Sequence, residues 1–183
     1  MTKIKYSTML RVLIIAICVS GCELTKLPLV LDSSISGTIP VNITTPVSQY
    51  NDSIQINVSK LKEVTGETID SLKLYNITLT VENLSPSNAS ISGNITVDGN
   101  QLLILNNMNL SQFNKERSIF DKNLTGFQYS YAGVKYLMDA IKQITTTQSP
   151  KDITIKLSTG SVSNPISFIL KVKIYAQVFA GTD

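Results

Sequence analysis

Histidine and tryptophan are absent from this chain of 183 residues, and cysteine occurs only twice. Without histidine, the commonest general base and the commonest metal ligand are missing, and no serine–histidine or cysteine–histidine catalytic pair can form within the chain. Two cysteines cannot make a zinc site of several thiolates. The sequence also lacks the glycine-rich nucleotide-binding motifs and the serine hydrolase elbow. We therefore expect no metal or cofactor and no enzymatic activity.

Charged residues are also scarce, at 16% of the chain against 43% hydrophobic residues. This balance is the opposite of that in disordered proteins, and the length suits one domain. The net charge is +3, but three of the 16 basic residues, Lys3, Lys5 and Arg11, precede all 13 acidic ones. The remaining 13 basic residues balance those acids, so we expect no basic surface for nucleic acid.

The first 22 residues carry the clearest motif in the chain. The basic residues are followed by an apolar run, Val12–Val19, which is far shorter than the roughly 20 residues that span a bilayer. A short apolar run after basic residues is typical of a signal peptide. The sequence that follows, Val19-Ser20-Gly21-Cys22, resembles the lipobox of bacterial lipoproteins, in which an aliphatic residue and two small residues precede a cysteine.

The lipobox resemblance implies cleavage between Gly21 and Cys22 and attachment of diacylglycerol to the Cys22 sulfur. Residues 1–21 are then a signal peptide, and residues 22–32 are a lipidated tether that holds the protein to the cell envelope. Glu23 stands where an inner-membrane retention signal has aspartate, which implies the outer membrane. The alternative is an uncleaved N-terminal membrane helix. After cleavage Cys18 is lost, so the mature chain cannot form an internal disulfide.

Beyond the tether, apolar and polar residues alternate over many short stretches, as in strands that bury one face. Examples are Ile35–Ile43, Ile91–Val97 and Ile166–Val178. One stretch near 131–144 has apolar residues at helical spacing, among them Met138. The pattern predicts an all-β fold: one antiparallel β-sandwich of seven or eight strands over residues 33–183, with one short amphipathic helix.

Three local signals refine this prediction. The stretch Ser71–Glu82 changes its alternation midway, which predicts a bulge near Tyr75-Asn76. Asp98-Gly99 lies between two apolar runs and predicts a tight hairpin. Pro40 and Pro46 lack an N–H group, so we expect the first strand at a sheet edge.

The run Leu74–Leu105 resembles the strand, turn, strand and hairpin of late-embryogenesis-abundant type 2 (WHy) domains, and Asp152–Thr159 follows the helix in a similar order. The resemblance implies a small β-sandwich with one helix and a role in stress protection. The sequence departs from that family in its extra N-terminal strands. An immunoglobulin-like envelope sandwich fits the same pattern.

Two stretches are candidates for binding. Asp121, Asn123 and Thr125 alternate before a glycine, as in the opening of a calcium loop, although Ala132 replaces the usual acidic ligand at the twelfth position. The alternative is an ordinary polar turn. Tyr129 and Tyr131 are candidates for ligand or partner contacts. The alternative is that these rings, with Phe127 and Tyr136, dock the helix onto the sandwich.

Lys171 and Lys173 point to the polar side of the last predicted strand, where we expect them to block pairing with other strand edges. The acidic residues are scattered over strand ends and loops. We interpret them as a solvated rim, although a pair of carboxylates at suitable spacing would permit glycoside chemistry.

The sequence as a whole favours a lipid-anchored envelope protein with a non-enzymatic role in binding, assembly or protection. Its expected partners are the membrane, through the anchor, and an envelope protein or glycan. One alternative is a carbohydrate-binding module or a glycan-active enzyme at the cell surface. Another is a carrier of apolar ligands or lipids inside the sandwich.

Overall fold

The structure is a computed structural model that describes residues 29–63, 69–146 and 151–180. Across these residues the chain forms nine strands and one α-helix: β1 Leu29–Ile43, β2 Tyr50–Asn57, β3 Ile69–Ser85, β4 Ser90–Val97, β5 Asn100–Asn109, β6 Arg117–Ser118, β7 Phe127–Tyr129, α1 Tyr131–Thr146, β8 Asp152–Thr159 and β9 Ile166–Ala180. Two short 3₁₀ turns span Val58–Lys62 and Leu110–Phe113. The predicted signal peptide and Cys22 lie outside the described residues.

The strands form two antiparallel sheets that pack face to face. Sheet I has the order β1-β9-β3-β6, and sheet II has the order β2-β8-β4-β5-β7. The predicted all-β antiparallel sandwich with one helix is confirmed. The strand count is nine rather than seven or eight because two short strands, β6 and β7, extend one edge of each sheet.

The last described strand, β9, is one of the two central strands of sheet I. Its side chains alternate strictly between buried and half-buried from Ile166 to Ala180. Both neighbours are long: β1 pairs with β9 from Ile43 opposite Ile166 to Leu29 opposite Ala180, and β3 pairs on the other side. The prediction that Lys171 and Lys173 block pairing at a sheet edge is therefore wrong, because β9 pairs with β1 on one side and β3 on the other.

The N-terminal boundary of the sandwich also differs from the prediction. The tether was expected to reach residue 32, but β1 begins at Leu29. Since β9 continues to Ala180, it provides hydrogen-bonding partners for residues 29–32. Residues 29–32, predicted as the end of the tether, therefore belong to β1 in sheet I.

The three local signals are confirmed. In β3 the register with β9 shifts between Leu74 and Asn76, which is the expected bulge. Strand β1, with Pro40, lies at the edge of sheet I. Asp98 and Gly99 have φ values of 46° and 81° between β4 and β5, and a two-residue hairpin turn in which both residues have positive φ has the twist that antiparallel strands favour.

Helix α1 contacts β3 of sheet I and β5 of sheet II and so closes one side of the sandwich. Its buried residues are Val134, Leu137, Ala140, Ile141 and Ile144. Met138, expected on the same face, is 46% exposed, because it lies at the margin of the buried stripe. A Cβ atom on Gly133 would come within 2.2 Å of the Gln101 carbonyl oxygen, so the backbones of α1 and β5 touch at this point.

Candidate functional site: the outer face of sheet I

The bulge in β3 places a tyrosine on the outer face of sheet I. Leu74 is opposite Ala176 and Asn76 is opposite Tyr175, so Tyr75 between them has no partner in β9. Its side chain is 46% exposed, and its ring centre lies 5.7 Å from that of Tyr175, at 51° between the planes. Bulges redirect side chains, and this one creates a pair of rings on the surface.

Glu116, in the loop before β6, connects this ring pair to the charges around it. Its Oε1 accepts hydrogen bonds from the Thr78 hydroxyl, at 2.8 Å, and from the Tyr175 hydroxyl. Its Oε2 lies 4.0 Å from the Lys173 ammonium group, which is 4.4 Å from the centre of the Tyr175 ring. Residues from β3, β9 and a loop thus converge on one carboxylate, and with Tyr75 they form what we call the Glu116 cluster.

The contacts in the Glu116 cluster stabilise one pattern of ionisation. The hydrogen bond from Tyr175, followed by that from Thr78, holds the pKa of Glu116 below its usual value. The Tyr175 hydroxyl and the Glu116 carboxylate raise the pKa of Lys173. Partial burial, followed by the charge of Asp32, raises the pKa of Tyr75. At neutral pH the cluster therefore holds the anionic Glu116 carboxylate, the cationic Lys173 ammonium and the neutral Tyr75 phenol.

The same face carries further aromatic and polar groups. The Lys73 ammonium lies 4.8 Å from the centre of the Phe179 ring, and Asn76 accepts a hydrogen bond of 2.7 Å from the Ser118 hydroxyl. Rings, cations and amides next to each other suit a surface that stacks against, and hydrogen-bonds to, a polar partner. The groups around Glu116 are hydroxyls and an ammonium, whereas glycoside hydrolysis uses two facing carboxylates.

The tyrosines predicted from the sequence lie elsewhere. Tyr129 is 52% exposed and Tyr131 is 73% exposed, so the alternative in which these two rings dock the helix is wrong. Aliphatic side chains of α1 provide the docking contacts instead. Tyr129 packs edge-on against Phe120 at 5.2 Å, and both line an open groove of about 380 Å³ that also includes Asp121.

The other two aromatic residues of that stretch have structural contacts. Phe127 packs against Phe113, with ring centres 5.7 Å apart. Tyr136 donates a hydrogen bond of 2.8 Å to the Asp98 carboxylate. Tyr136, which is in α1, matches the docking interpretation, whereas the Phe127 contact lies outside α1. Tyr129 and Tyr131 expose their rings to a ligand or partner.

The predicted calcium ligands form a polar turn. The Oδ1 atom of Asp121 accepts hydrogen bonds from the Asn123 backbone and side-chain nitrogens, at 2.9 and 3.0 Å, and Oδ2 lies 3.5 Å from Arg117. The backbone of Thr125 exchanges two hydrogen bonds with the Gln112 side chain. Within residues 29–63, 69–146 and 151–180 there is no group of three or more acidic, cysteine or histidine side chains arranged to hold a metal ion.

The sequence indicates the exposed positions of some residues of the Glu116 cluster but not the position of Glu116 itself. The outward positions of Lys173 and Tyr175 follow from the alternation of the last strand, and the phase change marks Tyr75. Glu116 lies in a segment with no periodic pattern, so no sequence signal connects it to Tyr175. Cys22, the predicted site of lipid attachment, lies outside the described residues, as stated above.

No protein-family model matches this chain, and no curated protein sequence matches it. Among solved structures, it is similar to virus coat proteins. The 60-mer BFDV capsid protein is 8% identical with a TM-score of 0.36, covering 87% of this chain and 97% of that one. Turnip yellow mosaic virus gives 9% identity and a TM-score of 0.39, covering 85% and 96%. These similarities carry no argument about function. The class that the fold defines is the antiparallel β-sandwich.

No described helix is both long enough and apolar enough to cross a bilayer.

Proposed function

We propose that this protein is a lipid-anchored component of the cell envelope, at the outer membrane, with a non-enzymatic role in binding or assembly. One observation carries the proposal: the lipobox ends at Cys22, and the first strand of the sandwich begins at Leu29. Six residues therefore separate the lipid attachment site from the folded domain. Extended, they span about 20 Å, which would hold sheet I close to the lipid surface.

A binding role, rather than catalysis, is supported by how the carboxylates are used. Asp98 accepts hydrogen bonds from Tyr136 and from the Thr154 backbone. Asp139 pairs with Lys135 one helical turn away. Asp98 and Glu116 thus connect separate parts of the fold, whereas Asp121 and Asp139 have partners within four residues along the chain. The hydrogen bonds to Glu116 hold its pKa below the usual value, whereas a general acid needs a raised pKa.

The anchor is tested by metabolic labelling with a radioactive or clickable fatty acid. The comparison is between the unaltered chain, Cys22→Ala and the matched control Cys18→Ala. We expect label and membrane association in the unaltered chain and in Cys18→Ala, since residue 18 lies in the segment removed by cleavage. Cys22→Ala should lose both. Equal labelling of Cys22→Ala, or an intact N-terminal methionine on the purified protein, would contradict the proposal.

A second candidate function is carbohydrate binding, which the exposed ring of Tyr75 beside Tyr175 and the Glu116 carboxylate favours. Sugar rings stack on aromatic faces, and their hydroxyls bond to carboxylates. The test is co-sedimentation of the full chain with insoluble peptidoglycan and chitin. If sugars bind at the Glu116 cluster, Tyr75→Ala should reduce binding and Tyr131→Ala should not. The reverse result would assign binding to the sequence-predicted tyrosines, and no binding by the unaltered chain would reject this candidate for both polymers.

A further inference from the structure

Strand β1 presents a long open edge. Among the described residues, it forms ladder hydrogen bonds only with β9, along its whole length of 15 residues. The register has no shift between Leu29 and Ile43. In an uninterrupted antiparallel strand, backbone N–H and C=O groups of alternate residues point toward the neighbour and away from it. Half of the residues of β1 therefore direct these groups at the open side.

Two observations at Pro40 identify which half. Pro40 has no N–H group, and within a sheet proline is accommodated where that group would face away from the neighbouring strand. Its carbonyl oxygen accepts a hydrogen bond of 3.1 Å from the hydroxyl of Tyr50, which belongs to β2 in the other sheet. Pro40 thus faces the open side. Because the register is unbroken, the other even-numbered residues of β1 face it as well.

The open-facing residues before Pro40 lack the usual protection of an edge. They are Val30, Asp32, Ser34, Ser36 and Thr38, all with exposed side chains. Natural edge strands usually carry lysine, proline or a bulge that prevents pairing with another chain. The segment Val30–Thr38 has one charged residue, no bulge and no lysine. The proline of this part of β1, Pro40, lies after the end of the segment.

The space beside this segment is open. A groove of about 430 Å³ runs along residues 32–36 of β1, and Gln55, Asn57 and Lys60 line its other side. These three side chains come from the end of β2 and the 3₁₀ turn that follows it. Another strand can therefore approach β1 at residues 32–36, the centre of this segment, without displacing a described part of the fold.

We propose that a second copy of this chain pairs with the open edge of β1 in antiparallel orientation, around a two-fold axis at Ser34. In this register Val30 lies opposite Thr38 of the second copy, and Asp32 lies opposite Ser36 of the second copy. The one charged residue then faces a hydroxyl, and Pro40 lies outside the ladder. Pairs of hydroxyl residues across strands are favourable. The two copies of sheet I join into one continuous sheet.

The chain itself offers few other occupants for this edge. The internal segments 64–68 and 147–150, which lie outside the described residues, are too short to cover Val30–Thr38. With the cleavage at Cys22 that the proposed function includes, seven residues precede β1, too few to fold back over Val30–Thr38; this step rests on the proposed function. Pairing between copies does not itself require the lipid, so a Cys22 variant that lacks the anchor can be tested for pairing separately.

Disulfide trapping tests the register. At the two-fold axis, the Cα atoms of Ser34 in the two copies are expected about 5.5 Å apart, within the range of about 4.4–6.8 Å that a disulfide spans. The full chain with its own two cysteines replaced, Cys18→Ala and Cys22→Ala, and with Ser34→Cys should form a covalent dimer in detergent under mild oxidation. The matched control is Thr38→Cys, which faces Val30 of the second copy and should stay mostly monomeric on denaturing gels. Equal cross-linking of both variants would overturn the proposed register.

Proline variants test the pairing itself. Ser34→Pro removes an N–H group at the centre of the proposed ladder, whereas Asn42→Pro removes an equally open-facing one outside it. Neither change removes a hydrogen bond to β9. By sedimentation velocity in detergent, we expect dimers for the unaltered chain and Asn42→Pro, and dimerisation at least about thirtyfold weaker for Ser34→Pro, the equivalent of two lost backbone hydrogen bonds.

A further variant covers the case in which Ser34→Pro fails to fold. Ser34→Lys leaves the backbone unchanged and places like charges opposite each other at the axis, so it should also be monomeric. The proposal would be overturned if the unaltered chain stayed monomeric at every concentration measured by sedimentation velocity. Dimers of Ser34→Lys as tight as those of the unaltered chain would also overturn it.

Discussion

Two regions of this sandwich use polar side chains in different ways. At the junction of the β4–β5 hairpin with α1 and β8, which we call the hairpin junction, backbones approach each other closely and side chains bond to main-chain atoms. On the outer face of sheet I, the Glu116 cluster is built from side-chain ends that meet above a regular ladder. The hairpin junction therefore determines how the fold closes. The Glu116 cluster is held by contacts between side chains, while the strands beneath it keep their own backbone pairing.

Asp98 shows how tightly the hairpin junction is tied together. Its Oδ1 accepts a hydrogen bond of 2.7 Å from the Thr154 backbone N–H, and its Oδ2 accepts one of 2.8 Å from the Tyr136 hydroxyl. Its own N–H donates to the Thr154 carbonyl at 2.8 Å. One turn residue thus connects the hairpin, α1 and β8. In the Glu116 cluster, by contrast, each of the partners Thr78, Tyr175 and Lys173 contacts the carboxylate through its side chain.

The largest effect should come from Gly133→Ala. The added Cβ would meet the Gln101 carbonyl oxygen at 2.2 Å, so α1 must move away from β5. We expect the free energy of unfolding to fall by about 3 kcal/mol or more, measured by urea denaturation. Ala132→Ser, at the neighbouring exposed position, is the matched control and should cost about 0.5 kcal/mol. A loss below about 1 kcal/mol for Gly133→Ala would show that α1 can move at little cost.

An intermediate effect is expected at Asp98. Asp98→Asn tolerates the positive φ of the turn but cannot accept both hydrogen bonds, because one oxygen becomes an amide nitrogen. We expect a loss of about 1–2 kcal/mol in the free energy of unfolding, and about 1 kcal/mol for Tyr136→Phe. If the two residues act through their shared hydrogen bond, the double variant will lose less than the sum, by about 0.5 kcal/mol or more. Strict additivity would contradict that coupling.

The smallest effect on stability should come from Glu116→Gln, and it should depend on pH. Since the pKa of Glu116 is lowered in the folded state, its contribution is complete above the unfolded value of 4.5 and is lost as the pH falls through the folded pKa. The Glu116 side chain is 42% exposed, so we expect a difference below about 1 kcal/mol at neutral pH.

The measurement for Glu116 is urea denaturation of the unaltered chain and Glu116→Gln from about pH 6 to about pH 3. The difference in stability between the two proteins should shrink as the solution becomes more acidic. An unchanged difference over that range would mean that the Glu116 carboxylate is not stabilised by Tyr175 and Thr78. If Glu116→Gln lowered the free energy of unfolding by more than Gly133→Ala does, the Glu116 cluster would contribute more to stability than the hairpin junction.

Local patterns in the sequence predicted much of the fold but less of the surface. The turn at Asp98-Gly99 and the edge position of Pro40 depend on the backbone chemistry of one or two residues, and the bulge beside Tyr75 depends on the alternation within one short stretch. Each was predicted. Glu116 and the central position of β9 depend on which distant segments come together. For that reason the edge role of Lys171 and Lys173 was predicted wrongly, and the alternative in which Tyr129 and Tyr131 dock the helix does not hold.

The sequence by itself determined that this chain is an antiparallel β-sandwich with one amphipathic helix, because alternation and helical spacing decide locally which side chains are buried. It also contains the Val19-Ser20-Gly21-Cys22 motif that resembles a lipobox, on which the proposed anchor depends. Only the tertiary structure decided that the first and last strands pair along their full length, that Glu116 meets Tyr175 and Lys173, and that the edge of β1 stays open. These features depend on contacts between residues far apart in the chain, and no local pattern encodes which strand finds which neighbour.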